Sequence, residues 1–387
     1  MAAIRSVDPV EVDESLLAQV RLACVPGVGS RLRQRLLARF GSPQAVFAAG
    51  AAELAAVDKL GPKLAQLIPE FATSPVAEET LDLCRRRQVE ILLEGAPGYP
   101  RMLGQIDDPP GVLFLRGWIE PCDAIAVAIV GSRHATAYGR RVAHQLAGGL
   151  ARAGYTIVSG LARGIDHAAH RGALDAGGRT LAVLGSGVLE IYPPEHADLA
   201  AEIVGRGALL SEAPPLSAPQ AGAFPSRNRI VSGLTLGTVV VEAADRSGAL
   251  ITARLAGEQG REVFAVPGPI DSRTSRGCHR LIRDGAKLVE TVDDILEEFG
   301  PLFEKATAAD GREVQSPAEL RLDGVERQVL AALDELLAEA GGGVGSVDLD
   351  DLVAASELAV SRVLSAIGVL EARRIVRRLP GNRVARA

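Results

Sequence analysis

The sequence has few cysteines and no long apolar run. Four cysteines occur, at Cys24, Cys84, Cys122 and Cys278. They form no CxxC pair, so they predict neither a disulfide framework nor a zinc site, and we expect a reducing compartment. No apolar run reaches the roughly 18 residues of a membrane span, and the N-terminus is acidic where a signal peptide has an apolar core. We therefore expect a cytoplasmic protein without a membrane span.

Common catalytic motifs are also missing. The sequence contains no HExxH, GxSxG or P-loop GxxxxGK[ST]. His167 and His170 are three residues apart on a predicted helix and lack metal-ligand partners, so we interpret them as structural or close to DNA. Four carboxylates at or near predicted strand ends remain candidates for a base: Asp166, Glu212, Glu242 and Asp245. The prediction is a protein that is not an enzyme, with no catalytic residue, metal or cofactor.

Length and composition indicate a globular protein of two or three domains. The chain has 387 residues, of which 47% are apolar and 23% charged. The formal net charge of −6 argues mildly against a nucleic-acid partner. Local clusters of basic residues matter more than this sum, because a phosphate chain meets only one surface.

A glycine-bearing segment after an apolar run predicts a phosphate loop. Residues 159–170 read SGLARGIDHAAH, which places a turn between a strand and a helix. Gly160 and Gly164 let the backbone approach an anion, and N–H groups at the helix start favour negative charge. Arg163 adds a mobile positive charge, while Asp166 in the first helical turn is a dipole partner or cap.

Three more segments repeat this pattern of an apolar strand and a polar loop. They are residues 124–133, 180–187 and 238–248. Short apolar strands that alternate with helices predict an α/β fold, a doubly wound parallel sheet with its ligand site at the carboxyl ends of the strands. Tight turns alone would explain one glycine loop, whereas four at one edge favour a ligand. The loop at residues 131–139 reads GSRHATAYG rather than GxGxxG. Arg133 in this loop suits an external phosphate chain better than a dinucleotide.

A further candidate site is the segment FPSRNR at residues 224–229. An aromatic ring beside arginines and an amide offers a stacking face, cations for phosphate and donors for base edges. The alternative places Phe224 in the core and the two arginines in internal salt bridges. Because only 3% of residues are aromatic, we favour the binding interpretation.

The two ends of the chain predict separate helical domains. Residues 25–29 read VPGVG before the basic amphipathic segment 30–40, a pattern that resembles a helix-hairpin-helix phosphate site. An ordinary helical hairpin with a solvated basic face is an equal alternative. Three helical patterns and a hairpin with a basic tip in residues 323–387 indicate a winged helix, which could bind either DNA or protein. We predict domains at 1–85, 86–300 and 320–387, with a linker at 301–319.

These motifs together resemble the DNA-processing protein A family, also called Smf. The resemblance runs in order through GSR at 131–133, SG-ARGID-AAH at 159–170, FPSRNR at 224–229 and VEA at 241–243, and it spans roughly 170 residues. It implies an extended Rossmann-like domain between a SAM or helix-hairpin-helix-like domain and a winged helix. It also implies a protein that binds single-stranded DNA, self-associates as a homodimer and helps load the RecA recombinase during natural transformation.

The resemblance assigns DNA-binding roles to particular positions. They are Gly131, Ser132, Arg133, Gly160, Arg163, Gly164, Gly222, Phe224, Arg227, Asn228 and Arg229. Two departures stand out: Ala221 replaces a lysine of some relatives, and the loop Gly277-Cys278-His279 replaces glycine, a small hydroxyl residue and asparagine. These departures put one phosphate contact and the role of that loop in doubt.

Two rival functions come from other classes. One is a phosphoribohydrolase that cleaves nucleoside monophosphates; such enzymes resemble one another through PGGxGTxxE, whereas the corresponding segment here reads VEAADRSGALITA. The other is a silent nucleotide sensor whose winged helix reads double-stranded operators.

Overall fold

The structure is a computed structural model of the chain. It describes residues 14–220, 222–299, 306–307, 313–314, 322–339, 345–372 and 375–386. The chain forms two compact units: the first unit takes residues 1–118 and 182–234, and the second takes 119–181 and 235–387.

The N-terminal part of the first unit is helical. Its helices are α1 (Glu14–Cys24), α2 (Ser30–Phe40), α3 (Pro43–Ala48), α4 (Ala51–Ala55), α5 (Pro62–Glu70) and α6 (Val76–Arg87). Leu22, Leu36, Leu54 and Ile68 are fully buried in a common apolar core. The basic segment predicted over 30–40 is confirmed as α2, whose bounds are those of the prediction.

An α/β segment follows. Its elements are β1 (Glu90–Leu93), β2 (Val112–Gly117), β3 (Ala126–Val130), α7 (Ala137–Arg152), β4 (Thr156–Ser159), α8 (Ile165–Asp175), β5 (Thr180–Val183), α9 (Ala197–Val204), β6 (Ala208–Ser211), α10 (Ala223–Gly233), β7 (Gly237–Val240), α11 (Gly248–Glu258), β8 (Glu262–Ala265), α12 (Arg276–Arg283), β9 (Lys287–Leu288) and α13 (Val292–Phe299).

The second unit contains the parallel strands. Their order is β4, β3, β7, β8, β9, and each neighbouring pair is parallel. Every residue of β3, β4 and β7 is buried, as expected for strands covered on both faces. Val127, Ile157, Val239 and Phe264 lie in one apolar core with α7 and α8. The predicted Rossmann-like α/β fold is confirmed, and the loops after β3, β4 and β7 lie at one edge.

The first unit adds antiparallel strands that the prediction of a parallel sheet did not include. Strand β2 pairs antiparallel with β1, with Glu90 opposite Leu115, and antiparallel with β6, with Phe114 opposite Ser211. Residues 94–111, between β1 and β2, contain a short 3-10 turn at Leu103–Gln105 but no crossover helix. A connection between two strands without a crossover helix is typical of an antiparallel pair. The strands are therefore mostly parallel but mixed.

The C-terminal segment has helices and short strands. They are β10 (Ala306–Thr307), β11 (Glu313–Val314), α14 (Gly324–Glu339), β12 (Val347–Asp348), α15 (Leu349–Ser356), α16 (Val360–Ala372), β13 (Val376–Leu379) and β14 (Arg383–Arg386). Strands β12, β14 and β13 form an antiparallel sheet in that order. The predicted helices and hairpin are confirmed, while their assignment as a winged helix stays a prediction. Most of the predicted linker, Ala221, and Arg373 and Arg374 of the basic tip lie outside the described residues.

The described residues offer neither a membrane-spanning helix nor a metal cluster. No single helix among them is long and apolar enough to cross a membrane; α15 and α16 reach that length and composition only as a pair, bent by 110°. No group of three or more His, Cys, Asp or Glu side chains in the same part of the chain could hold a metal ion.

Candidate nucleic-acid interface

The loop from β4 to α8 is closed by its own helix. The carboxylate of Asp166, in the first turn of α8, accepts hydrogen bonds from the N–H groups of Gly160 at 3.2 Å and Ala162 at 3.3 Å. The Gly160 N–H is thus engaged within the loop, and Gly160 shapes the loop. The side chain of Arg163 is exposed, so the loop presents one cation outward.

A buried histidine supports the same loop. Leu161 is fully buried and has φ +57, a left-handed conformation that costs free energy in a residue with a branched side chain. Its N–H donates to Nε2 of His170 at 3.3 Å, and Nδ1 of His170 lies 2.7 Å from the Thr180 hydroxyl. His170 has no exposed surface, which favours the structural one of the two interpretations given for it from the sequence.

The loop from β3 to α7 interlocks with the loop from β4 to α8. The Ser132 carbonyl accepts from the N–H of Ile165 at 3.2 Å, and the Ser132 N–H donates to the Glu242 carbonyl at 2.7 Å. Gly164 has φ +78, and a Cβ there would lie 2.2 Å from the Ser132 oxygen, so only glycine permits this approach. Arg133 is exposed on this loop, as Arg163 is on the other. The two loops therefore form one rigid support for two outward cations.

Glu242 is a structural support that sequence reasoning considered only as a base. Its buried carboxylate accepts from the Thr136 N–H at 2.9 Å and from the Thr136 hydroxyl at 2.6 Å. That hydroxyl also accepts from the N–H of Gly139 at 3.1 Å and so caps α7. Glu242 therefore holds the start of α7 directly after the Arg133 loop. The partners are 106 residues apart in the chain, so no local signal could have shown the contact.

In the first unit, α10 carries an aromatic site. Phe224 is half-buried and lies against the backbone of Gly185, where a Cβ would lie 2.9 Å from the ring. The ring of Tyr192 is 5.7 Å from that of Phe224, and Tyr192 is 37% exposed. Tyr192 is not among the site residues predicted from the sequence, although its aromatic side chain was the signal that could have found it. Gly222 lies exposed immediately before α10.

The arginines of the same helix have partners inside the first unit. Arg227 is 7% exposed and its guanidinium donates to the Val183 carbonyl. Arg229 is 4% exposed, donates to both carboxylate oxygens of Glu212 at 2.8 and 2.9 Å, and lies 3.1 Å from Asp108. The contacts of Arg229 match the alternative of internal salt bridges, whereas the contact of Arg227 is with a backbone carbonyl. Both guanidinium groups fix α10 against its neighbours. Contact of Arg227, Arg229 or the partly buried Asn228 with DNA stays a prediction.

The basic face of α2 is largely paired with carboxylates of the first unit. Arg31 lies 3.4 Å from Asp108, Arg33 donates to Glu94 at 2.7 Å, and Arg35 lies 3.6 Å from Asp58. These pairs occupy cations that a phosphate site would use, whereas Arg31 and Arg39 are exposed, as a solvated basic face requires. The choice between the two sequence interpretations stays a prediction.

The Gly277-Cys278-His279 segment is helical rather than a loop. It forms part of the first turn of α12, where Gly277 donates its N–H to the Ala243 carbonyl at 2.8 Å. A Cβ at Gly277 would lie 2.6 Å from that oxygen. Burial raises the pKa of the Cys278 thiol to about 12. This segment therefore packs α12 against the loop after β7.

The fold and its two interlocked glycine loops define a Rossmann-like α/β protein. The family model "DNA recombination-mediator protein A" matches residues 90–300, and "SAM-like Helix-hairpin-helix tandem" matches residues 20–72. The chain belongs to the DNA recombination-mediator protein A family, and the resemblance read from the sequence is confirmed.

Relatives and solved structures agree with this assignment. Protein Smf of Synechocystis is 33% identical over 94% of this chain and 96% of its own, and DNA processing protein DprA of Bacillus subtilis is 43% identical over 58% and 76%. The structure of DprA from Streptococcus pneumoniae matches with a TM-score of 0.63 and 33% identity over 75% of this chain and 99% of that one. A structure that concerns the single-stranded DNA binding mode of the Helicobacter pylori protein matches with a TM-score of 0.50 and 29% identity, over 55% of this chain and 95% of that one.

Proposed function

We propose that this protein binds single-stranded DNA without reading its sequence and acts as a recombination mediator that helps load RecA. The observation that carries the proposal is the pair of interlocked loops that presents the exposed side chains of Arg133 and Arg163. Exposed cations on rigid backbone suit phosphates, which are contacted without sequence information.

The first unit supplies the second element of the proposal. Phe224 and the partly exposed Tyr192 offer aromatic faces on which unpaired bases stack, and stacking tolerates every base. A duplex keeps its bases stacked on one another, so these rings favour a single strand. Gly222, before the start of α10, leaves open space beside them for a backbone contact.

The H. pylori relative is described by its single-stranded DNA binding mode, which supports the DNA part of this proposal.

Self-association and RecA loading complete the proposed role. A homodimer would present two copies of each surface to one strand, and action beside RecA places the protein in the cytoplasm. The protein would protect incoming strands during natural transformation.

The deciding experiment measures binding of a labelled oligo-dT and of its duplex over a salt series, with nucleoside monophosphate hydrolysis assayed in parallel. Arg133→Ala should weaken binding to all single strands and lower the salt slope by about 0.7 for each phosphate that is no longer neutralised. Arg152→Ala is the matched control, because this exposed arginine is the last residue of α7, about 22 Å from the start of the helix at 1.5 Å per residue. Hydrolysis of the monophosphate, preference for duplex, or an unchanged slope in Arg133→Ala would refute the proposal.

The RecA step needs its own assay. The protein should speed RecA assembly on oligo-dT that is already coated with single-strand-binding protein, and Arg133→Ala should lose this effect in proportion to its affinity. Equal RecA assembly with and without the protein would contradict the mediator role while leaving DNA binding intact.

A further inference from the structure

An exposed aromatic ring follows the Arg133 loop in the second unit. Tyr138 is the second residue of α7 and is 38% exposed. Its hydroxyl donates to the carbonyl of Pro267, in the loop after β8, at 3.1 Å. The phenol oxygen is therefore engaged, whereas part of the ring is open to solvent. A ring that is held in place and exposed is a surface on which an unpaired base can stack.

A guanidinium group extends this ring. Arg141, one turn further along α7, is exposed, and its Cζ lies 5.7 Å from the centroid of the Tyr138 ring. This distance is that of a cation–π contact, and bases stack on guanidinium planes as well as on aromatic rings. The carboxylates of the described residues form no ion pair with Arg141, so its charge can meet a phosphate.

The loop after β8 and the helix α12 add positive charge. Residues 266–283 contain four arginines and one carboxylate, Asp271. Arg273 lies in the loop and Arg276 begins α12. Both side chains are exposed, and neither forms an ion pair within the part of the chain that the structure describes. Exposed arginines that no carboxylate neutralises suit an anionic partner.

One support holds this loop and the start of α7. The Thr274 carbonyl accepts from the N–H of Ala243 at 2.7 Å, and the Thr274 hydroxyl donates to the Glu242 carboxylate at 3.5 Å. The same carboxylate accepts from Thr136, directly before α7. The backbone of both segments is therefore fixed before a ligand binds, which lowers the entropy lost on binding.

The strand order places the loops side by side along one edge. Strands β3, β7 and β8 are parallel neighbours in that order, so their carboxyl ends lie at the same edge. At about 4.8 Å between neighbouring strands, the loops after β3 and β8 begin about 10 Å apart. The loop after β7, between them, carries exposed Asp245 and Arg246. A stacked strand advances about 3.4 Å per nucleotide, so about three nucleotides cover this distance.

We propose that the single strand continues from Arg133 along the carboxyl ends of β7 and β8. One base stacks on the Tyr138 ring, and the phosphates beside it contact Arg273 and Arg276. The inference rests on the proposed function, because the same strand occupies the Arg133 loop. It gives the segment from Pro267 to the start of α12 a part in DNA binding.

Tyr138→Ala tests the stacking step. Affinity for an oligo-dT of about 16 nucleotides should fall roughly tenfold, with an unchanged salt slope, because stacking neutralises no phosphate. Tyr138→Phe keeps the ring and loses only the bond to Pro267, so it should retain more affinity than Tyr138→Ala. An equal loss in both variants would identify the hydroxyl bond rather than the ring as the cause and contradict the stacking step.

The double variant Arg273→Ala, Arg276→Ala tests the phosphate contacts. Its salt slope should be smaller by about 1.4, since each lost phosphate contact lowers the slope by about 0.7. The matched control is Arg152→Ala combined with Arg254→Ala. It removes two exposed charges from the same unit, at the last residue of α7 and within α11, and its slope should equal that of the unsubstituted protein.

The outcomes separate the inference from the proposed function. If Arg133→Ala weakens binding while Tyr138→Ala and the Arg273, Arg276 variant bind like the control, the path beyond Arg133 is overturned and the DNA-binding proposal stands. If the unsubstituted protein shows no preference for the single strand, both fall. Sedimentation velocity tests a second copy as the occupant: lost self-association in the Arg273, Arg276 variant would assign this face to contact between copies and overturn the inference.

Discussion

Replacing Glu242 should loosen the loop that carries Arg133. Its carboxylate accepts two hydrogen bonds from Thr136, at 2.9 and 2.6 Å, in a position where Glu242 is 4% exposed. Hydrogen bonds to a charged group contribute about 1.5 to 3 kcal/mol each. Glu242→Ala removes both and leaves the Thr136 N–H without this partner, so we expect a local loss of about 3 to 5 kcal/mol.

Hydrogen exchange measures this loss where it occurs. The N–H groups of Thr136 and Gly139 should exchange roughly a hundredfold faster or more in Glu242→Ala, since each 1.4 kcal/mol is about a factor of ten. Glu242→Gln keeps the side-chain size and one good acceptor, so it should lose only about 1 to 2 kcal/mol. Affinity for single-stranded DNA should fall more in Glu242→Ala than in Glu242→Gln, because Arg133 precedes the residues that Glu242 holds.

Glu258→Gln provides the control for the charge change. Glu258 is 56% exposed and its distance of 3.7 Å from Arg254 is that of a surface ion pair, so exchange at residues 131–140 should not change. If the Thr136 and Gly139 N–H groups of Glu242→Ala exchange at rates within threefold of those in the unsubstituted protein, the carboxylate does not hold the loop and the reasoning is refuted.

Three further variants test other parts of the site and the fold. Phe224→Ala should weaken single-strand binding by about 1 to 3 kcal/mol, while a lowered melting temperature with unchanged affinity would mark the ring as packing alone. Asp166→Asn should speed exchange of the Gly160 and Ala162 N–H groups, because a neutral acceptor replaces the carboxylate; unchanged exchange would show that the loop closes without it. Burial raises the pKa of Cys278 from 9.0 to about 12, so above pH 9 the thiol ionises in the unfolded chain but not in the folded one. Stability should therefore fall as pH rises from 9 towards 12, and Cys278→Ala should reduce that fall in urea titrations; an equal fall in both proteins would contradict this assignment.

The sequence predicted the elements because their signals are local. The segment predicted over 30–40 is α2, and the apolar strand predicted at the start of the segment 180–187 is β5, Thr180–Val183. The hydrophobic periodicity, the apolar run and the glycine turn that predict such an element all lie within a few residues of one another. The antiparallel direction of β2 was not predicted, because strand pairing depends on residues far apart in the chain.

The roles of charged residues were less predictable for the same reason. Arg133 and Arg229 each occur in a motif with glycine or polar neighbours, yet the first is exposed and the second is 4% exposed between Glu212 and Asp108. An arginine needs a carboxylate within about 4 Å to be held in this way, and the chain brings that carboxylate from another element. Sequence reasoning allowed the internal salt bridge as an alternative but could not select it.

The close approach of backbone to backbone accounts for the glycines at this edge. A Cβ at Gly164 would meet the Ser132 oxygen at 2.2 Å, and one at Gly131 would meet the Ile165 side chain at 2.5 Å. These glycines serve the contact between loops as well as any approach of phosphate. The two requirements are compatible, because interlocked loops hold in place the backbone that carries the two arginines. A phosphate chain brings one negative charge for each nucleotide, and exposed cations at one edge can attract it on a protein whose formal net charge is −6.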